Sequence, residues 1–265
     1  MNLELIISDV DGTLIDTSET FSNDFYELAQ LIETNNYPLT IATGRTYDQV
    51  KPFIENLQIT LPVIINNGAG CIKQNKLLWN NTIKFEYLQK ALLKADELDM
   101  AIILSSGYTD KVYRHNAYIQ NQIEKFDRYK EIFTPLTEEE WNTGEIQKVL
   151  ITDPMRPGKI DLVLDQLQNY KEFLHVVRYS DRSADIMLKQ STKAEGIKRL
   201  STMLSIDTKN MMAIGDSHND VEMIQEVGMG VAVANAETRL KEIANYICQN
   251  SHSKGVLEAT KKFYK

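Results

Sequence analysis

The chain has 265 residues, 43% of them hydrophobic and 25% charged, with a formal net charge of −8. This composition supports a packed core and excludes a disordered class. Its acidity leaves no general basic face for nucleic acid or an anionic membrane surface, and its length suits one large domain or two modest ones.

The first stretch alternates buried strands with helices. Residues 3–8 read as a strand, 20–35 as a helix with Phe21, Phe25 and Leu28 on one side, 39–42 as a strand, 47–57 as a helix and 62–65 as a third strand. Such alternation predicts a parallel sheet covered on both faces, with any chemistry just beyond the carboxyl ends of its strands. The middle changes character. A helix over 85–98, strands at 101–105 and 111–113 joined by a hairpin-like turn, a helix over 114–129, strands at 146–151, 174–179 and 185–189, and a helix between 158 and 170 suggest an antiparallel sheet. From 192 the first pattern resumes, with helices at 192–204, 221–226, 236–244 and 255–264 and strands at 211–214, 231–233 and 246–248. The expected fold class is therefore α/β. A doubly wound, Rossmann-like parallel-sheet core (1–81 and 188–265) is interrupted by an inserted α+β domain (82–187).

Cys71 and Cys248 are isolated, which predicts free thiols in a reducing compartment. The chain shows no basic leader, and no apolar run approaches the ~18 residues of a membrane span. A soluble cytoplasmic protein with neither nucleic-acid nor membrane partners is expected.

Four places carry potential chemistry. Asp9 and Asp11 stand where the first strand ends and the chain turns through Gly12. Each alone reads as an ordinary loop carboxylate, but with one residue between them in a turn they can project to the same side, one as nucleophile and one as proton donor. Two carboxylates at a strand tip repel and lose hydration, and an oxygen-preferring divalent cation would offset that cost. Asp216 and Asp220 end a second buried strand, in Gly215-Asp216-Ser217-His218-Asn219-Asp220. Ser217 or Asn219 could simply cap the next helix, yet Asp216 joined to the first pair makes a magnesium-type site. Thr43, ahead of Gly44 and Arg45, either starts a helix or offers a hydroxyl and backbone N–H groups to an anionic oxygen. Lys193 opens the helix after the insertion. There it reads as solvated surface, or as a charge suited to a phosphate or an aspartate.

Together these residues resemble the haloacid dehalogenase-like phosphohydrolases, in the Cof-type branch with a type IIB cap. Asp9-Val10-Asp11-Gly12-Thr13-Leu14, Ile41-Ala42-Thr43-Gly44-Arg45, Lys193 and the Gly215 to Asp220 run match the four family motifs in order. Asn66-Asn67-Gly68-Ala69, the run 230–236 and Gly255-Val256 look like branch signatures. The resemblance implies that Asp9 attacks phosphorus to form an aspartyl phosphate and that Asp11 protonates the leaving oxygen and then activates water. It implies Mg2+ bound by the side chains of Asp9 and Asp216 and the carbonyl of Asp11, with Asp220 in support. Thr43, Gly44, Arg45, Asn67, Lys193 and Asn219 are the implied contacts of the substrate. That substrate is expected to be a small phosphorylated metabolite, a sugar phosphate foremost, acted on by a monomer or weak homodimer. The rival readings are a phosphotransferase or phosphomutase on the same fold and a non-catalytic phosphate sensor.

Overall fold

The computed structural model describes residues 3–126, 129–137, 145–153 and 158–264. The chain divides into two compact units. One comprises Met1–Arg45, Gln49–Leu78 and Thr192–Lys265, the other Thr46–Asp48 and Trp79–Ser191.

The first unit is built on a parallel sheet in the order β13-β12-β11-β1-β2, with β1 (Leu5–Ser8) between β11 (Met211–Gly215) and β2 (Leu39–Ile41). β12 is Met229–Ala232 and β13 is Tyr246–Ile247. Every residue of β1, β2 and β11 is buried, as a sheet covered on both faces requires, and this explains the unbroken apolar runs in the sequence. β3 (Val63–Ile65) joins the far side of β2 through a parallel bridge between Ala42 and Ile64. The first helix, α1 (Asn23–Asn35), starts when the Ser22 hydroxyl accepts from the Phe25 amide, and it buries Phe25, Leu28 and Ile32. Phe25 stacks on Phe21 at 4.4 Å, and Phe53 from α2 (Tyr47–Asn56) meets Phe21 edge-on at 5.1 Å.

One piece of this unit lies outside the elements expected from the sequence. β4 (Gly70–Lys73) and β5 (Lys76–Asn80) form a small antiparallel sheet with β3. Their connection is Gln74-Asn75, both with φ near +50 to +60°, a two-residue hairpin turn made without glycine.

The second unit carries an antiparallel sheet in the order β7-β6-β8-β10-β9, from Asp110–Val112, Ala101–Ser105, Lys148–Thr152, Ser183–Leu188 and Leu174–Arg178. Alternate residues Ile102, Leu104, Val149, Ile151, Ala184 and Ile186 enter one core with α3 (Phe85–Glu97). Ala101 and Ile103 point the other way and pack with Ile119 and Phe133, as the period of two demands. The helix expected over 114–129 is shorter. Asn116 caps α4 (Ala117–Lys125) by accepting from the Ile119 amide, and Phe126 leaves the helix with extended backbone. The helical stretch expected up to residue 170 splits into Ile160–Leu164 and a 3-10 segment, Asp165–Tyr170.

The α/β class holds, with a parallel central sheet and a separate α+β unit. Among the described residues no helix is long and apolar enough to cross a membrane. Both cysteines are free and buried.

Candidate active site

Four strand ends of the first unit supply the site. The chain leaves β1 at Asp9, whose amide donates to the Ile214 carbonyl of β11 at 3.0 Å, tying the two strand tips together. Helix Lys193–Leu204 begins with Thr192, whose hydroxyl accepts from the Glu195 amide, and so it points its first side chain at those tips. Lys193 is no surface lysine: its side chain is 0% exposed. Its Nζ donates to Asp9 Oδ1 at 2.6 Å and to Asp220 Oδ1 at 2.7 Å. The other oxygen of Asp220 accepts from the amides of Asp216 and Ser217, at 3.0 and 3.1 Å. Gly215 makes this tuck possible, since a Cβ there would lie 2.5 Å from the Asp220 carboxyl carbon. Asp216 accepts from the Thr13 hydroxyl at 2.8 Å through Oδ1. Its Oδ2 faces Gly12, which has φ +81° and whose absent Cβ would stand 2.2 Å from that oxygen. Only glycine fits a left-handed turn pressed this close against a carboxylate.

Carboxylate oxygens of Asp9, Asp216 and Asp220 lie within 4.8 Å of one another, and hard oxygen donors at this spacing fit a divalent metal ion. By distance alone Asp220 is a third side-chain ligand, but its hydrogen bonds already engage both of its oxygens. Asp9 and Asp216 are therefore the better donors. One ammonium serves several buried carboxylates here, and the electrostatics reflect it. Burial pushes Asp9 well above the usual carboxylate range; Lys193 opposes this, and Asp220 and Asp11 add to it. Burial, with Asp220 beside it, lifts Asp216 to about 6. Burial alone would depress the Lys193 ammonium, but Asp220 and Asp9 outweigh it and hold its pKa above the ordinary lysine value. Such a cluster favours an added cation.

Asp11 stands apart from this cluster. Its carboxylate receives Arg45, with Nε at 3.2 and 2.9 Å from its two oxygens and Nη2 at 2.6 Å. Thr43 is fully buried and caps no helix; its hydroxyl accepts from the Arg45 amide at 3.2 Å. The Asn67 amide donates to the Thr43 carbonyl at 2.8 Å and the Asn66 amide to the Arg45 carbonyl at 3.0 Å. Both asparagines hold positive φ, 46° and 53°, which their short side chains tolerate. Asn219 donates to Asn67 Oδ1 at 3.1 Å. Thr43, Asn67 and Asn219 thus form one connected polar wall, with Gly44 between Thr43 and Arg45.

Three contributors escaped the reading of single residues. Thr13 holds Asp216, as above. The Gly12 carbonyl is gripped from the far end of the chain by Asn235 Nδ2 at 2.8 Å and by His252 Nδ1 at 2.9 Å. The Asn235 amide oxygen in turn accepts from the His252 backbone at 3.1 Å. The signature run 230–236 pointed at Asn235. Nothing in the sequence singled out His252, because a lone histidine at a helix start reads as surface.

Comparison with known proteins decides the family. The profile described as haloacid dehalogenase-like hydrolase matches residues 6–259. The chain belongs to that family. It is a phosphatase of the Cof-type branch. It is 28% identical to a phosphoglycolate phosphatase of Methanobrevibacter smithii, over 99% of each chain. It is 27% identical to the 5-amino-6-(5-phospho-D-ribitylamino)uracil phosphatase YcsE of Bacillus subtilis, over 98% of this chain and 95% of that one. Among solved structures, the subclass IIB sugar phosphatase BT4131 superposes with a TM-score of 0.78 at 20% identity, covering 98% of both chains.

Proposed function

We propose that this phosphatase hydrolyses small phosphorylated metabolites, sugar phosphates foremost, in a magnesium-dependent reaction that passes through a phosphorylated Asp9. The observation that carries this reading is the fully buried Lys193 ammonium shared by Asp9 and Asp220 at the mouth of a parallel sheet, with Asp216 alongside. A buried lysine bonded to two carboxylates is costly to desolvate. Nothing in the packing asks for it, and its charge suits an anionic group arriving at Asp9.

In this reading an Asp9 oxygen attacks phosphorus while the bond to the leaving oxygen breaks, and Asp11 gives that oxygen its proton. Asp11 then takes a proton from a water molecule. The water attacks the phosphorus, inorganic phosphate leaves and the Asp9 carboxylate is restored. Lys193 tempers the repulsion between carboxylate and phosphate, and Thr43, Gly44 and Asn67 offer donors to the phosphoryl oxygens. Asn219 orients Asn67, and Asp220 fixes Lys193 and the 216–217 backbone. Asp9, Asp216 and the Asp11 carbonyl would hold the magnesium ion, which when bound supplies the positive charge that lets a dianionic phosphate approach carboxylates. The inserted unit would select the leaving group, as a cap domain does.

The relatives named above act, by their names, on phosphoglycolate and on a phosphorylated ribitylaminouracil, both small phosphate monoesters. The test is Asp9→Asn, assayed by phosphate release from p-nitrophenyl phosphate and from a panel of phosphorylated sugars and organic acids. Turnover is expected to fall by about a thousandfold or more while circular dichroism stays that of the wild type. Turnover close to wild type in the variant would remove Asp9 as nucleophile. Chelation should abolish wild-type activity and added magnesium restore it.

A further inference from the structure

We infer that Arg45 is the positioning residue of Asp11 and not a ligand of the transferring phosphate, an inference that rests on the acid–base role proposed above for Asp11. The first observation is the bidentate geometry. Arg45 places Nε and Nη2 against both oxygens of the Asp11 carboxylate, with distances of 2.6 to 3.2 Å, the planar fork that guanidinium forms and ammonium cannot.

The second observation is that Arg45 is itself held from behind. Its guanidinium carbon lies 5.4 Å from the centre of the buried Phe53 ring, Nη1 reaches the Gln49 carbonyl at 3.5 Å, and Nη2 is 3.9 Å from Glu19. Its amide and carbonyl are bonded to Thr43 and Asn66. The side chain of Arg45 is 13% exposed and that of Asp11 57%. The anchored partner is the arginine, and the carboxylate is the part that needs a fixed direction. A carboxylate on an exposed turn has several rotamers, and one that must reach a leaving oxygen and then a water gains from losing them. The third observation is the division of cations: the nucleophile Asp9 has Lys193, so Arg45 is not needed there.

The experiment compares Arg45→Met, Arg45→Lys, Asp11→Asn and the double variant Asp11→Asn/Arg45→Met in the magnesium-loaded enzyme. The substrates are p-nitrophenyl phosphate, whose leaving group needs little protonation, and glycerol phosphate, whose alkoxide needs it. A positioning role predicts that Arg45→Met lowers kcat/KM for glycerol phosphate about ten- to a hundredfold. The loss for p-nitrophenyl phosphate should be several-fold smaller, the same leaving-group dependence that Asp11→Asn shows. Inhibition by inorganic phosphate should be unchanged, Arg45→Lys should recover part of the loss, and the double variant should be no worse than Asp11→Asn. Equal losses on both esters, weakened inhibition by phosphate and multiplied effects in the double variant would overturn the inference and make Arg45 a phosphate ligand. If Asp11→Asn itself keeps full activity on glycerol phosphate, the acid–base reading of Asp11 falls, and Arg45 loses its role with it.

Discussion

Lys193 and Arg45 each pair with one of two aspartates that a single residue separates, and they do so in opposite ways. Lys193 is sealed from solvent and divides one ammonium between Asp9 and Asp220. Arg45 grips a carboxylate that stands more than half exposed. A buried ion pair is rigid and costly to break, because the charge left behind has no water to turn to. A half-exposed pair contributes little to stability, and its carboxylate, though aimed, stays open to solvent and to an arriving partner. The contrast matches the work proposed for the two carboxylates. Asp9 must stay put while a bond forms on it, whereas Asp11 serves two different oxygens in turn.

The contrast can be broken most severely at Lys193. Lys193→Met should abolish turnover and lower the unfolding free energy by about 3–5 kcal/mol, read from denaturant titration of the metal-free protein. A loss below about 1 kcal/mol would show that the carboxylates had found other compensation. A smaller effect of opposite sign is expected at Asp216. Its carboxyl sits at about 6 in the fold against an ordinary 3.8. A raised acid stabilises the fold fully at pH below the ordinary value, and that contribution is lost as pH rises through about 6. Metal-free Asp216→Asn should therefore be more stable than wild type at pH 7, by roughly 1–2 kcal/mol for a half-buried group, with the gap closing toward pH 4 in thermal melts. Magnesium should raise the melting temperature of wild type more than that of the variant. The smallest effect belongs to the exposed pair: Arg45→Met should change stability by less than about 1 kcal/mol. A larger loss there would erase the distinction between the two cations.

Much of this architecture was legible because the strands that matter are buried on both faces and end in residues that strands do not favour. Leu5–Ser8 and Met211–Gly215 announce themselves as apolar runs broken by Asp9 and Asp216. The β4–β5 hairpin was hidden because its turn uses Gln74-Asn75, where no glycine marks the positive φ. The helix expected from Arg114 is longer than the one present because Phe126 keeps helical spacing with Ile119 and Ile123 although its backbone is already extended, while Asn116 caps the start two residues later. In the site, carboxylates and lysine could be picked out by type and position. What each touches could not be, since Lys193 and Asp9 are 184 residues apart and Arg45 and Asp11 are 34 apart. The burial of Lys193 was illegible for the same reason: its surroundings come from distant strands, and its own helix start looks solvated.

The grip of Asn235 and His252 on the Gly12 carbonyl spans 223 and 240 residues. Closing loops that long costs chain entropy that local contacts do not repay, so the turn that follows the nucleophile depends on side chains far along the chain, and replacing Asn235 or His252 should loosen it.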